Sequence, residues 1–458
     1  MALPAQFVER VLADLGDAEG RALCEALEGD TPVSVRLNPA KTDGGALEVL
    51  AGAEPVPWCA EGCYLPARPQ FTLDTDFHAG AYYVQEAASQ FVGLLLAEAN
   101  VTGARVLDLC AAPGGKTTLY ASLVGDEGLV VANEIDRRRV QVLADNVRKW
   151  GTGNVVVTCC EPRVLGDLEG WFDVVAVDAP CSGEGMFRKD ETAREQWSEG
   201  NVRQCAARQD DIMREAWRAL KAGGTLVYST CTFNRDEDEG TLERMLEWAG
   251  DELVEGPEIA VDDRWGILCG RVGAFRTFRF YPHRSRGEGF FAAVARKAFD
   301  AGGRCRMPRS RRTAIVQADR ATTAELARWV QEPSKMRFGV VADTCYGWYD
   351  AQADAVKMLS EVVPVVCSGV AMGQIFKGSL RPDPALAFFA GLNREAVPAA
   401  ELDREQALRY LRRQEVDAAP FAEGMNLVCA RGRALGFAKR IGARVNNMYP
   451  NSLRILMK

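Results

Sequence analysis

The chain has 458 residues, 47% of them hydrophobic and 26% charged, with a formal net charge of −8. That length is too great for one core, so roughly two to four domains are expected. No apolar run approaches the ~20 residues of a membrane span. The start, Met1-Ala-Leu-Pro-Ala-Gln-Phe-Val-Glu-Arg10, lacks the basic-then-apolar pattern of a secretory signal. A cytoplasmic protein is therefore expected. The acidic balance argues against a general nucleic-acid binder and leaves room for a local basic surface.

In a reducing compartment the 14 cysteines are expected to be free thiols. Cys24, Cys205, Cys367 and Cys429 sit in apolar contexts and fit as small core residues. Cys59-Ala-Glu-Gly-Cys63 has ligand-like spacing but no matching second pair, so no metal is expected.

Residues 1–98 are expected to form a small N-terminal α+β domain. A helical pattern (Phe7, Val8, Val11, Leu12, Leu15) precedes Val33-Ser-Val-Arg-Leu-Asn38, which alternates as a strand, and a helix is predicted over Ala87–Glu98. His78 fits a loop. Residues 99–300 alternate strand and helix. Apolar runs recur at Val106–Leu109, Leu129–Ala132, Val155–Val157, Val174–Val177, Thr225–Tyr228 and Phe290–Ala295, with helices over Arg137–Trp150 and Glu195–Leu220. That alternation predicts a Rossmann-like parallel sheet covered by helices, with ligands at the C-terminal strand ends. Residues 301–312 read as a basic linker. Residues 313–458 are expected to form a C-terminal, β-rich region, in one or two subdomains. Its tail carries Arg431, Arg433, Lys439, Arg440, Arg444, Arg454 and Lys458 without an acid; with Tyr449 it suits RNA phosphates and bases.

The most distinctive stretch follows the first of those runs. Cys110-Ala-Ala-Pro-Gly-Gly115 is a small-residue turn into a helix beginning near Lys116-Thr117. Its glycines permit close backbone approach, and free N–H groups at the helix start favour a polar ligand. A phosphate loop would need glycine where Cys110 stands, and the dinucleotide fingerprint is absent. A smaller ligand fits, such as the methionine moiety of S-adenosylmethionine; an ordinary strand–helix turn is the other reading. The second run ends Asn133-Glu134-Ile-Asp136. Glu134 is the candidate for ribose hydroxyls, with Asp136 sharing that role or capping the next helix. The fourth run ends Asp178-Ala-Pro-Cys181, and the fifth ends Ser229-Thr-Cys231. Asp178 and both cysteines are expected to face the cleft. The charged run Asn234-Arg-Asp-Glu-Asp-Glu239 reads as a solvated helix start without chemistry, and His283 as a loop residue or a substrate contact.

Two thiols beside one cofactor turn suit a particular reaction. Carbon 5 of cytosine is a poor nucleophile. Thiolate addition at C6 makes it enamine-like and able to take a methyl group. A second thiol can assist release, and Asp178 could stabilise the electron-rich ring if protonated or sharing a proton with the base. A free thiol is only a few per cent ionised at neutral pH, so a nearby cation, Lys189 or Arg188, is expected to activate it.

Leu109-Cys-Ala-Ala-Pro-Gly-Gly-Lys-Thr117, Asp178-Ala-Pro-Cys-Ser-Gly183 and Ser229-Thr-Cys-Thr232 resemble, in order and spacing, the signature motifs of the Nol/Nop/Sun family of RNA cytosine-C5 methyltransferases. Tyr83-Val-Gln-Glu86 and Gly183-Glu-Gly-Met-Phe-Arg-Lys189 extend the resemblance. It implies Cys231 as the C6 nucleophile and Cys181 as the release cysteine. It also implies S-adenosylmethionine held by Cys110, Ala111, Ala112, Pro113, Gly114, Gly115, Lys116, Glu134 and Asp178. The whole-chain layout is similar to bacterial members that act on 16S ribosomal RNA and carry a PUA-like RNA-binding C-terminal region. Asn446-Asn-Met-Tyr-Pro450 matches that region's closing motif. One departure is Thr158-Cys159-Cys160-Glu161, where relatives often have Asn then an acid near the adenine. Glu161 serves one position late, or that contact is lost. RNA is the expected partner, without membrane or metal, and a monomer is expected. Transfer RNA or 23S ribosomal RNA as substrate, an amine-directed methyltransferase needing neither cysteine, and a catalytically idle RNA-binding assembly factor remain open.

Overall fold

The computed structural model describes residues 2–42, 47–299 and 314–457; the basic stretch 301–312 and Lys458 lie outside the described residues. No described helix is long and apolar enough to cross a membrane.

Two N-terminal helices, Ala5–Leu15 and Asp17–Ala26, precede a four-stranded sheet whose central strand is Val33–Leu37. The helices bury Phe7, Val11, Leu23 and Leu27 not on that sheet but against Phe187, Trp197, Val202 and Phe233 of the central region. The predicted helix at 87–98 opens as a tight 3₁₀ turn, Ala88–Phe91, before Val92–Glu98.

The central sheet is built from β1 (Arg105–Asp108), β2 (Leu129–Asn133), β3 (Val155–Thr158), β4 (Phe172–Asp178), β5 (Leu220–Thr230), β6 (Phe275–Phe280) and β7 (Phe290–Lys297). Their spatial order is β3-β2-β1-β4-β5-β7-β6. All neighbours are parallel except β7, which runs against β5 and β6. Alternate residues go to opposite faces, as the pleat requires. Val106, Val130, Val155 and Val174 feed one core, while Leu107, Val131, Val156 and Val175 feed the other. Burial on both faces explains why these strands read as continuous apolar runs rather than alternations. Helices α1 (Gly115–Val124), α2 (Arg139–Trp150), α3 (Glu199–Ala219) and α4 (Glu239–Ala249) cover the sheet. The long helix predicted over 195–220 starts only at Glu199, where Ser198 caps it by accepting from the Asn201 N–H at 3.1 Å. The β6 strand and its partner Leu268–Val272 escaped the sequence reading, because Phe275-Arg-Thr-Phe-Arg-Phe280 neither alternates nor forms an apolar run.

The chain leaves β1 for β2 and β3 on one side and returns to β4 on the other. That reversal opens a crevice above the C-terminal ends of β1 and β4.

The C-terminal region holds a five-stranded sheet and a four-stranded sheet. It is not set apart from the central sheet. Strand β8 (Val365–Ser368) pairs antiparallel with β3. The helix before it, Asp350–Val362, sends Ala353, Val356 and Leu359 into the central core. The architecture is the expected one: a Rossmann-like sheet with a small N-terminal α+β unit and a β-rich, PUA-like C-terminal region.

Candidate active site

The turn after β1 has little freedom. Gly114 lies at φ +108°, and a Cβ there would sit 3.0 Å from Leu143 Cδ1, so both backbone and space demand glycine. The Ala111 N–H donates to the Asn133 carbonyl at 2.8 Å. Arg139 Nη2 donates to the Ala112 carbonyl at 2.9 Å, and Asn146 Nδ2 to that of Pro113 at 2.9 Å. The turn is thus tied to α2 along its length. Beneath it the buried Asp108 accepts from Thr117 Oγ1 at 2.6 Å; burial pushes its carboxyl up to about 7. Burial also raises the Cys110 thiol, which makes it a poor nucleophile.

Three carboxylates meet this turn from three strand ends. Glu134 is almost wholly buried, its Oε1 accepting the Asp136 N–H at 2.9 Å and its Oε2 lying 3.3 Å from Arg139. Asp136 takes the capping role, accepting the N–H groups of Arg138 at 2.7 Å and Arg139 at 2.9 Å. Glu161, at the end of β3, lines the same cleft as Glu134 and Asp178. Sequence reasoning passed over Asn133. Its Oδ1 accepts from Thr158 Oγ1 at 2.9 Å and its Nδ2 donates to the Cys160 carbonyl at 2.9 Å, which locks the β2 and β3 ends together.

The cleft holds about 770 Å³ and runs from Cys110 and Ala112 past Glu134 and Glu161 to Asp178, Cys181 and Cys231. Its lining mixes acids with Arg139, Arg163, Arg208 and Arg214. The acids at the strand ends, Glu134, Glu161 and Asp178, suit ribose hydroxyls, an ammonium and a sulfonium, which are polar groups of S-adenosylmethionine.

At the far end the two sulfurs meet: Cys181 Sγ lies 3.2 Å from Cys231 Sγ. The hydrogen bond to Cys231, together with burial, drives the Cys181 thiol well above its ordinary range, which disfavours a thiolate there. Asp178 accepts from Lys116 Nζ at 2.9 Å and from Ser229 Oγ at 2.8 Å. Both contacts are ones in which Asp178 accepts, which departs from the hydrogen-bond-donating form considered for it. Burial would lower the Lys116 ammonium, but Asp178 outweighs that and carries it above its ordinary value, with Cys231 adding to the effect.

Lys189 is not drawn to the thiols. Its Nζ lies 3.6 Å from Glu288, which also pairs with Arg188 at 2.9 Å, so both expected activators are neutralised elsewhere. Lys116 is the cation whose field reaches Cys231. The charged run at 234–239 is not a solvated face either. Asn234, Glu237 and Asp238 are buried. Asp238 accepts from Arg279 at 2.7 Å, a pairing across chain distance that no local pattern reveals. His283 pairs with Glu19 at 2.8 Å, and His78 Nε2 donates to the Thr72 carbonyl at 3.0 Å. Tyr449 is fully buried, its hydroxyl 3.4 Å from His78, so it cannot stack on a base. Arg431 and Arg433 each lie 3.1 Å from Asp76. Of the tail's cations, Lys439 and Arg444 lie exposed on the last hairpin.

A sheet in this strand order, with a glycine turn at the switch point and carboxylates at the neighbouring strand ends, defines an S-adenosylmethionine-dependent methyltransferase. The family described as 16S rRNA methyltransferase RsmB/F matches residues 95–296. The N-terminal domain of 16S rRNA methyltransferase RsmF matches 3–87, and the RsmF PUA domain matches 397–455. Ribosomal RNA small subunit methyltransferase F of Erwinia tasmaniensis is 30% identical over 98% of this chain and 96% of its own length. That of Citrobacter koseri is 33% identical over 92% and 90%. The chain belongs to the ribosomal RNA small subunit methyltransferase F family. Among solved structures, a methyltransferase homolog protein from Pyrococcus horikoshii superposes with a TM-score of 0.51 at 26% identity, covering 64% of this chain and all of that one. NSun6 from the same organism, solved with SFG, gives 0.54 at 21% identity over 65% of this chain and 99% of its own, a likeness of fold.

Proposed function

We propose that the protein methylates carbon 5 of a cytosine in RNA, with 16S ribosomal RNA as its substrate, through a transient bond between Cys231 and carbon 6 of the base. The observation that carries this reading is the 3.2 Å approach of two sulfurs at the end of the cofactor cleft. An amine-directed enzyme would need neither.

The Cys231 thiolate adds to C6. The S–C6 bond forms, the C5=C6 π bond breaks, and its electron pair becomes available at C5. The cofactor, when bound, supplies an electrophilic methyl group. Release reverses the addition: C5 loses its proton to a base, the C5=C6 bond re-forms and the S–C6 pair departs with Cys231 as thiolate. Cys181, still protonated, donates a hydrogen bond to that departing sulfur. Lys116 favours the thiolate form of Cys231 by its charge. Asp178 accepts from the base's 4-amino group while Lys116 donates to the ring as negative charge builds there. Glu134 and Glu161 hold the cofactor, with the 110–116 turn. The exposed cations of the last hairpin support RNA contact by the PUA-like region. The reading is that of a cytoplasmic protein acting as a monomer.

Bisulfite sequencing of total RNA from cells with and without the protein tests the substrate. One protected cytosine in 16S ribosomal RNA is expected to vanish with the protein. Loss from transfer RNA or 23S ribosomal RNA instead would overturn the target, and no loss would overturn C5 chemistry. For the cofactor, Glu134→Ala is expected to weaken S-adenosylmethionine affinity about 10- to 100-fold, the worth of a hydrogen bond to a charged group. Calorimetric affinity equal to wild type would remove Glu134 from the cofactor site.

A further inference from the structure

The two cysteine-bearing turns hold each other through a pair of buried carboxylates. Glu237, which follows β5 and the Cys231 turn, reaches across to the Cys181 turn, where its Oε2 accepts the Ser182 N–H at 2.9 Å. Glu184, which follows Cys181, reaches the opposite way, and its Oε2 accepts the Phe233 N–H at 2.8 Å. Each acid therefore grips the backbone just beyond the other turn's cysteine. Asn234 sits between them, and the two hydrogens of its Nδ2 are shared among Glu237 Oε1 at 2.7 Å, Glu184 Oε1 at 3.1 Å and Thr232 Oγ1 at 2.8 Å. The hydroxyls of Ser182 and Thr232, each next to a cysteine, lie 3.0 Å apart. Gly185 adds a backbone bond to the Cys231 carbonyl at 2.9 Å. Gln209 donates to Glu237 at 2.9 Å and Trp197 to Glu184 at 2.9 Å, so each carboxylate takes three N–H donors.

Burying two carboxylates within one hydrogen-bonded cluster is costly. Well-packed apolar side chains would serve stability at least as well. What the cluster supplies is a fixed spacing between the two loops. The sulfurs they carry must stay within contact of one another and of one base, and small misplacements of reacting groups are expensive.

We propose that Glu184, Asn234 and Glu237 form a reciprocal clasp that positions Cys181 and Cys231 for the chemical steps. None of the three lines the cleft, and they act through the turns they hold. The inference deepens the covalent reading above and rests on it.

Glu237→Gln tests it. The amide keeps the side chain's volume but turns an NH₂ toward one of the N–H donors that now meet a carboxylate. kcat is expected to fall about tenfold or more, with S-adenosylmethionine affinity and the KM for 16S ribosomal RNA within about twofold of wild type. Wild-type kcat, or a loss matched by an equal loss of cofactor affinity, would overturn the clasp, because a merely structural role would move binding too. Should that variant fail to fold, Thr232→Val decides the matter. It removes the hydroxyl that links the Cys231 turn to Asn234 and to Ser182, and it is expected to lower kcat severalfold with binding intact; unchanged kcat would overturn the proposal. Cys181→Ala separates this from the reading beneath it. If that variant traps an RNA adduct while Glu237→Gln behaves as wild type, only the clasp falls. If Cys231→Ala still transfers methyl groups, the covalent mechanism itself is at fault.

Discussion

Cys231→Ala is expected to lower methyl transfer by at least about 10⁴-fold, as removal of a covalent nucleophile does. No other sulfur can take over. In the variant Cys181 loses its Cys231 partner but keeps the desolvation that also raises its thiol, and Cys110, half-buried in the cofactor turn, has its thiol raised as well. The cofactor turn, Glu134 and Glu161 are untouched, so S-adenosylmethionine affinity is expected to be unchanged. Transfer of labelled methyl to 16S ribosomal RNA, alongside calorimetric cofactor binding, checks both halves. Transfer that survived would favour attack on an exocyclic amine, and lost binding would mean that the substitution had disturbed the cleft.

Cys181→Ala is expected to do the reverse and let the reaction stall with RNA attached. Attack at C6 needs only Cys231 and the field of Lys116, and both remain. Elimination must expel a thiolate, and the variant removes the S–H donor that lies 3.2 Å from it. A hydrogen bond to a charged group is worth about 1.5–3 kcal/mol, which slows release roughly 10- to 100-fold. With RNA and cofactor present, a denaturing gel should show a slowly migrating protein–RNA band that wild type lacks. A gel without that band would count against the release role.

The parts of the site that local sequence revealed share a reason. β1 to β5 are buried on both faces, so each is a short apolar run, and each run ends where polar residues must meet the cleft. Glu134, Asp178, Cys181 and Cys231 were visible as abrupt changes of residue type at those ends. What escaped depends on pairings between distant positions. Lys116 belongs to the cofactor turn in sequence, and only the folded sheet sets it on Asp178, one strand away. Lys189 stands near the Cys181 motif, yet Glu288 from the loop before β7 claims it. Asn234 to Glu239 reads as a wet surface because its partners, Ser182, Gln209 and Arg279, come from three other segments. Tyr449 looked free because nothing in its neighbourhood indicates that His78 and Tyr410 bury it.

Strand β8 has a consequence for how the molecule can be divided. It closes the flank of the central sheet with main chain drawn from beyond residue 360. A fragment ending before the C-terminal region would leave the N–H and C=O groups of β3 unsatisfied along a flat apolar margin, a template for self-association. The catalytic half borrows its border from the half that carries the RNA-binding fold. The two have to mature together, and the orientation of one toward the other is set by hydrogen bonds within a single continuous sheet.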